Sequence, residues 1–167
     1  MADPESIGAL SEALVGELLA VGKTVSIAES CTGGWIAKSL TDNSGSSGCF
    51  GYGLVSYSNG AKESLLGVNP ATLEEHGAVS EAAVREMADG ALHLSGADIA
   101  AAVSGVAGPD GGSEDKPVGT VWFAWALRNK DTIDIDAEKR FLKGDRDQIR
   151  AQTVVFALQG IRERIRD

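Results

Sequence analysis

The stretch TVSIAESCTGG, residues 24–34, decides the fold. Val25 and Ile27 alternate with small or polar neighbours, which predicts a short strand over 24–28. Glu29 to Gly33 then reads as a turn, and Gly34 to Leu40 as a helix carrying Trp35 and Ile36. A strand that runs through a hydroxyl- and glycine-rich turn straight into a helix is the building unit of an α/β domain.

Working outward, Asp3-Pro4 opens a helix by its cap and first-turn residues. Ile7, Leu10, Leu14, Leu18 and Val21 recur at helical spacing, and Gly22 stops it. After the strand–turn–helix comes a Ser/Gly-rich loop over 43–48, a strand over 50–56, and a short helix over 59–66. Asn69-Pro70 starts another helix ending near Gly77. Ser80 caps a longer one through Val84, Met87, Ala91 and Leu94, closed by Gly96. Ile99 to Ser104 is an unbroken run of small apolar residues, as in a strand buried on both faces. A Gly/Pro/Asp/Ser loop over 105–117 precedes a hairpin, 118–127 and 132–141, turning at Arg128-Asn129-Lys130-Asp131. Asp145 caps the last helix, with Gln148 placed to close a capping box and Ile149, Val154, Leu158, Ile161 and Ile165 facing inward. Early strand–helix alternation followed by a hairpin predicts a three-layer α/β/α sandwich on a mixed β-sheet. No repeat or linker divides residues 1–167, so a single domain is expected, with its core over about 6–160.

Composition narrows the function. The net charge is -9 and no basic face is visible, which argues against a nucleic-acid binder. A locally positive pocket can still hold a small anion. The two cysteines, Cys31 and Cys49, have no metal-ligand spacing, so no metal site and no cofactor are expected. The N-terminus reads acidic rather than as a leader, and no apolar run approaches transmembrane length. A cytoplasmic protein that engages neither membrane nor nucleic acid is the expectation.

Four glycine- or hydroxyl-rich segments follow predicted strands or precede helices: AESCTGG (28–34), VSYSNGAK (55–62), SGVAGPDGG (104–112) and KGDRDQIR (143–150). Such loops converge at the carboxyl ends of strands in open α/β sheets. Ser30 sits at a strand end and helix mouth, where free N–H groups can hold an oxyanion or phosphate. Two readings of it stand side by side, a nucleophile and a helix cap followed by packing glycines. His76 and His93 are the chain's histidines, and both read as helix residues with structural roles, so a Ser-His-Asp triad lacks support. A lysine base remains, and Lys62 lies just past a strand end. Its pKa would have to fall from ~10.4 toward ~7–8, roughly 4 kcal/mol of environmental shift. Burial beside Arg146 is the expected source of that shift, which Glu29 would oppose if it pointed there. Ser104, ending the buried strand, is placed to relay a proton or to meet substrate. Arg146 suits a bidentate phosphate or carboxylate contact. Cys31 is the competing nucleophile, but it reads as a small buried residue. Trp35, Trp122 and Trp125 read as packing residues.

At these segments, together with HGAVSE (76–81), KPVGTVWFA (116–124) and GDRD (144–147), the chain resembles the C-terminal domain family of the competence/damage-inducible protein CinA. The likeness runs from about residue 6 to about 160. The resemblance implies metal-free hydrolysis of the carboxamide of nicotinamide mononucleotide, giving nicotinate mononucleotide and ammonia in pyridine-nucleotide recycling. It maps the family's serine to Ser30, lysine to Lys62, tyrosine to Tyr57 and arginine to Arg146. The family's hydroxyl position before Gly105 falls on Ser104. The expected catalytic set is therefore Ser30, Lys62 and Ser104. The expected substrate contacts are Tyr57, Thr32, Gly33, Gly34, Gly105, Gly108 and Arg146, with oxyanion N–H groups near Gly33 and Gly105. Two alternatives remain: a non-catalytic, regulatory nucleotide-binding protein, and an amidohydrolase acting on another nucleotide. Self-association as a homodimer or larger is also expected.

Overall fold

A computed structural model describes residues 4–166, so the expected cap at Asp3 lies outside the described residues. The chain folds as α1 (Pro4–Val21), β1 (Val25–Glu29), α2 (Trp35–Thr41), a 3-10 turn (Ser46–Gly48), β2 (Phe50–Val55), α3 (Asn59–Leu66), α4 (Pro70–His76) and α5 (Glu81–Ser95). It continues with β3 (Ile99–Gly105), β4 (Thr120–Arg128), β5 (Ile133–Phe141) and α6 (Arg146–Arg164). The strands form one sheet in the order β2-β1-β3-β4-β5. β1 runs parallel to β2 and β3, whereas β3–β4 and β4–β5 are antiparallel. The sheet is therefore mixed, as the order of elements predicts.

Local chemistry explains most boundaries. Ser58 and Ser80 accept hydrogen bonds from the N–H groups of Ala61 and Ala83 and so start α3 and α5, while Asn69 with Pro70 starts α4. Asp145 and Gln148 form the expected capping box at the head of α6. One boundary differs from the pattern reading. β4 begins at Thr120 rather than Val118, because Gly119 has φ +95° and turns the chain so that its N–H donates to the Val106 carbonyl. Leu94, one of the apolar positions that mark α5 in the sequence, is half exposed.

The two faces of the sheet differ in kind. Ile27, Ile99, Val103, Val121, Phe123 and Trp125 face α1, α2 and α6. Ala28, Ala100, Ala102, Ala124 and Ala126 face α5, which answers with Ala83, Ala88 and Ala91. Small residues on both sides let α5 lie close to the strands. The same closeness recurs one layer out. A Cβ at Gly90 of α5 would overlap the Leu66 carbonyl of α3, so the glycine lets α3 dock on helix backbone.

Topology then fixes where a site can form. From β1 the chain crosses by α2 on one face to edge strand β2, and returns by α3, α4 and α5 on the other face to β3. Beyond the carboxyl ends of the parallel strands β1, β2 and β3 the chain leaves β1 for α2 on one face and β2 for α3 on the other, leaving a crevice. Ser30 and Ser104 both lie there. Among the described residues no helix is long and apolar enough to cross a membrane.

The Gly90 contact yields a test. Gly90→Ala forces α3 off α5 and should cost about 1–3 kcal/mol, a fall of roughly 2–10 °C in Tm. A variant that melts with the parent protein would show that this contact is not tight.

Candidate active site

Ser30 follows the last residue of β1, and Lys62 projects from α3. Both are buried, with Lys62 only 1% exposed. Lys62 Nζ lies 2.9 Å from Ser30 Oγ, and it donates to the carbonyls of Ser56 at 2.8 Å and Tyr57 at 3.1 Å. Carbonyl oxygens can only accept. A neutral amine therefore directs its two hydrogens to them and leaves its lone pair facing the Ser30 hydroxyl. No carboxylate among the described residues forms an ion pair with Lys62. Burial pushes the Lys62 amine below the ordinary lysine range. Arg146 is not the cause expected from the sequence. It is exposed, and its guanidinium donates to the Gly108 carbonyl at 2.7 Å.

Glu29, the last residue of β1, points away from Lys62. Its buried carboxylate accepts from the Thr32 hydroxyl at 2.6 Å and from the N–H groups of Gly34, Ile36 and Ala37 at 3.2, 2.9 and 3.0 Å. The donors at the head of α2 are thus satisfied by the protein's own acid, with no side-chain cap from Gly34. This bears on two expectations. Gly33 N–H donates to the Ser30 carbonyl at 3.1 Å and Gly34 N–H to Glu29, so neither N–H is left for an oxyanion. The Thr32 hydroxyl is turned inward to Glu29 rather than toward a ligand. Of the N–H groups just after Ser30, that of Cys31 lies beside its own thiol, and that of Thr32 meets no acceptor among the described residues. Gly33 and Gly34 adopt φ +60° and +100°, which explains glycine at both positions.

The remaining expected residues fall at the same end of the sheet. Ser104 is buried on β3, on the α5 side with Ala100 and Ala102. The direct Lys62–Ser30 contact makes a relay through it unnecessary. Gly105 pairs with Val121, and a Cβ there would collide with Val121 and the Thr120 carbonyl, so β4 packing alone accounts for this glycine. At Gly108, φ is +76° and a Cβ would strike Val118. Tyr57 lends Lys62 its carbonyl, while its side chain is 62% exposed at the rim.

Cys31 is buried, and desolvation pushes its thiol up to about 11. A neutral thiol is a poor nucleophile. Both histidines are exposed and lie beside acids of their own helices, His76 beside Glu75 and His93 beside Asp89. Trp125 is buried and donates to the Ala157 carbonyl, in keeping with packing. Arg150, one turn past Arg146 on α6, was not singled out by the sequence reading. Its guanidinium donates to the carbonyls of Cys31 and Thr32, both at 3.1 Å, and lies 5.7 Å from the Trp35 ring centroid. With Thr32, Gly33, Gly34, Trp35 and Lys38 it lines an open depression of about 400 Å³. The signal available in sequence was its i, i+4 spacing from Arg146, which puts both on one helix face.

Comparison with known proteins gives the chain's family. The CinA C-terminal domain profile matches residues 8–165. A nicotinamide-nucleotide amidohydrolase PncC of Enterobacter agglomerans is 55% identical over 159 residues, 95% of each chain. The PncC of Escherichia coli K12 is 54% identical over 150 residues, 90% of this chain and 89% of the relative. The crystal structure of a competence-damaged protein (CinA) superfamily member from Klebsiella pneumoniae 700603 superposes with TM-score 0.89 at 41% identity, covering 95% of this chain and 97% of the other.

Burial of both thiols gives a check on Cys31. Iodoacetamide at pH 8 should leave Cys31 unmodified in the folded protein and alkylate it only after denaturation, as read by peptide mass spectrometry. Rapid labelling of native protein at Cys31 would mean a thiolate that burial does not allow.

Proposed function

This chain belongs to the CinA C-terminal domain family, and from that premise we propose that it hydrolyses the carboxamide of nicotinamide mononucleotide. The products are nicotinate mononucleotide and ammonia, a step in pyridine-nucleotide recycling. The observation that carries the reading is the buried amine of Lys62, 2.9 Å from Ser30 Oγ, with its other two partners restricted to carbonyls.

In this mechanism neutral Lys62 takes the Ser30 proton as Oγ attacks the carboxamide carbon. The N–H groups of Cys31 and Thr32 receive the oxyanion, an interaction worth ~3–4 kcal/mol in comparable sites. Lys62 returns the proton to the departing nitrogen, the C–N bond breaks and ammonia leaves. Lys62 then deprotonates a water that attacks the acyl ester, and the proton goes back to Ser30 Oγ as the carboxylic acid is released. Ser104 contributes its hydroxyl to the substrate amide. Tyr57 lines the mouth of the pocket. Arg146, with the glycine-rich turn it holds at Gly108, faces the phosphate end. The protein works without a cofactor, in the cytoplasm, as a homodimer or larger assembly. Open edge strands at β2 and β5, with exposed Tyr52 and Val55 on β2, support self-association.

Ammonia release from nicotinamide mononucleotide, measured with a coupled assay, tests the activity. Ser30→Ala should lower kcat by ~10⁴-fold or more, and Lys62→Ala by on the order of 10²–10⁴-fold. Near-normal turnover by Ser30→Ala would sink the mechanism. Lys62 works only when deprotonated, so kcat/KM should rise with pH and level off above a pKa below the ordinary lysine range. Lys62→Arg stays charged across that range and should show no such rise. An activity in the parent protein that falls as pH increases from 6 to 9 would exclude lysine as the base.

A further inference from the structure

Arg150 is the cation on the nucleophile turn to which the mechanism above gives no task. It forms no ion pair with a carboxylate among the described residues. Its guanidinium is instead divided between the carbonyls of Cys31 and Thr32 and the face of Trp35. In a chain of net charge -9, an arginine directed at two main-chain carbonyls rather than at an acid is a specific arrangement.

Peptide geometry gives the arrangement a consequence. In a trans peptide the C=O and N–H point in opposite directions. The Cys31 carbonyl and the Thr32 N–H belong to one such unit. α6 packs on one face of the sheet, and α3, which carries Lys62, packs on the other. Drawing the Cys31 carbonyl toward Arg150 therefore turns the Thr32 N–H toward the side on which Lys62 meets Ser30. The positive charge behind the carbonyl also polarises the unit and strengthens its N–H as a donor. The Thr32 carbonyl is held by Arg150 and by the Trp35 N–H together, which fixes the next peptide as well.

We propose that Arg150 is a positioning residue for the hydrolysis: by clamping the Cys31 and Thr32 carbonyls from α6, it orients and polarises the N–H group that stabilises the oxyanion. The inference rests on the amidohydrolase reading of the site. Its effect falls on the transition state, where the oxygen carries charge, and not on substrate binding. The capping box at Asp145 and Gln148 sets the start of α6, and Arg146 holds the Gly108 carbonyl one turn before Arg150. The last helix thus braces the nucleophile turn from a rigid element.

The test uses the full chain with nicotinamide mononucleotide, the parent protein serving as reference. If the parent releases no ammonia, the functional reading fails and not this inference alone. Given an active parent, Arg150→Lys keeps the charge and the aliphatic stem over Trp35 but loses the two-pronged donor. It should keep a Tm near that of the parent, with kcat ~10–100-fold lower and KM little changed, less than the ~10²–10³-fold of removing an oxyanion donor outright. Arg150→Ala should recover part of its kcat in millimolar guanidinium, and not in sodium chloride of equal ionic strength. An unchanged kcat in Arg150→Lys overturns the proposal. A rise in KM at constant kcat also overturns it, because Arg150 would then be a substrate contact.

Discussion

The buried carboxylate of Glu29 organises the turn on which the rest of the site depends. A helix that begins at the end of a buried strand exposes N–H groups with no partner in the helix, and in the interior each would be costly. Glu29 answers three of them and also takes the Thr32 hydroxyl. The turn from Ser30 to Gly34 is thereby closed on its inner side. Ser30 is held at the strand end, and the Thr32 N–H close behind it remains without a protein acceptor among the described residues. Because Glu29 is directed into α2, it also leaves the Lys62 amine without a counter-ion.

Lys62 depends on a different set of contacts. Alanines on the sheet and on α5 bring those layers close, Gly90 admits the Leu66 carbonyl, and α3 settles where its lysine reaches Ser30. Burial lowers the Lys62 pKa below that of the unfolded chain. In the interval between the folded value and ~10.4 the unfolded state binds more protons, so stability rises with pH across it. At lower pH the lysine subtracts stability from the fold. Reactivity is obtained by packing that the core tolerates rather than by an ion pair.

Much of the scaffold was legible from residue patterns. Asp145 with Gln148, Ser80 and Asn69-Pro70 are caps whose partners lie within four residues, so local sequence suffices to place them. The alternation in residues 24–28 and the unbroken apolar run at 99–104 marked the central strands for the same reason. Less local features were misplaced. Val118 carries a strand-forming side chain, but the positive φ of Gly119 delays the start of β4 to Thr120. That the Thr32 hydroxyl and the Gly34 N–H turn to Glu29 was not legible, since a sequence does not state which way an acid points. Arg150 went unnoticed because its partners are carbonyls some 118 residues earlier in the chain, and carbonyls have no signature of their own.

The sequence by itself determined the element order, the mixed α/β/α sandwich, the candidacy of Ser30 and Lys62, and the family. These follow from local propensity, periodicity and the spacing of motifs. Tertiary structure alone decided that Lys62 meets Ser30 directly and that burial rather than Arg146 tunes it. It also decided that Glu29 fills the head of α2 and that Arg150 grips the back of the nucleophile turn. The Lys62 and Arg150 contacts join distant segments and are set by how closely two layers pack, whereas the Glu29 contacts are near in sequence and are set by where a rotatable side chain finds its hydrogen-bond partners. At Ser30, the cap reading gives way to Glu29, which serves the head of α2 itself, and the nucleophile reading rests on Lys62, a neighbour that its own stretch of sequence does not contain.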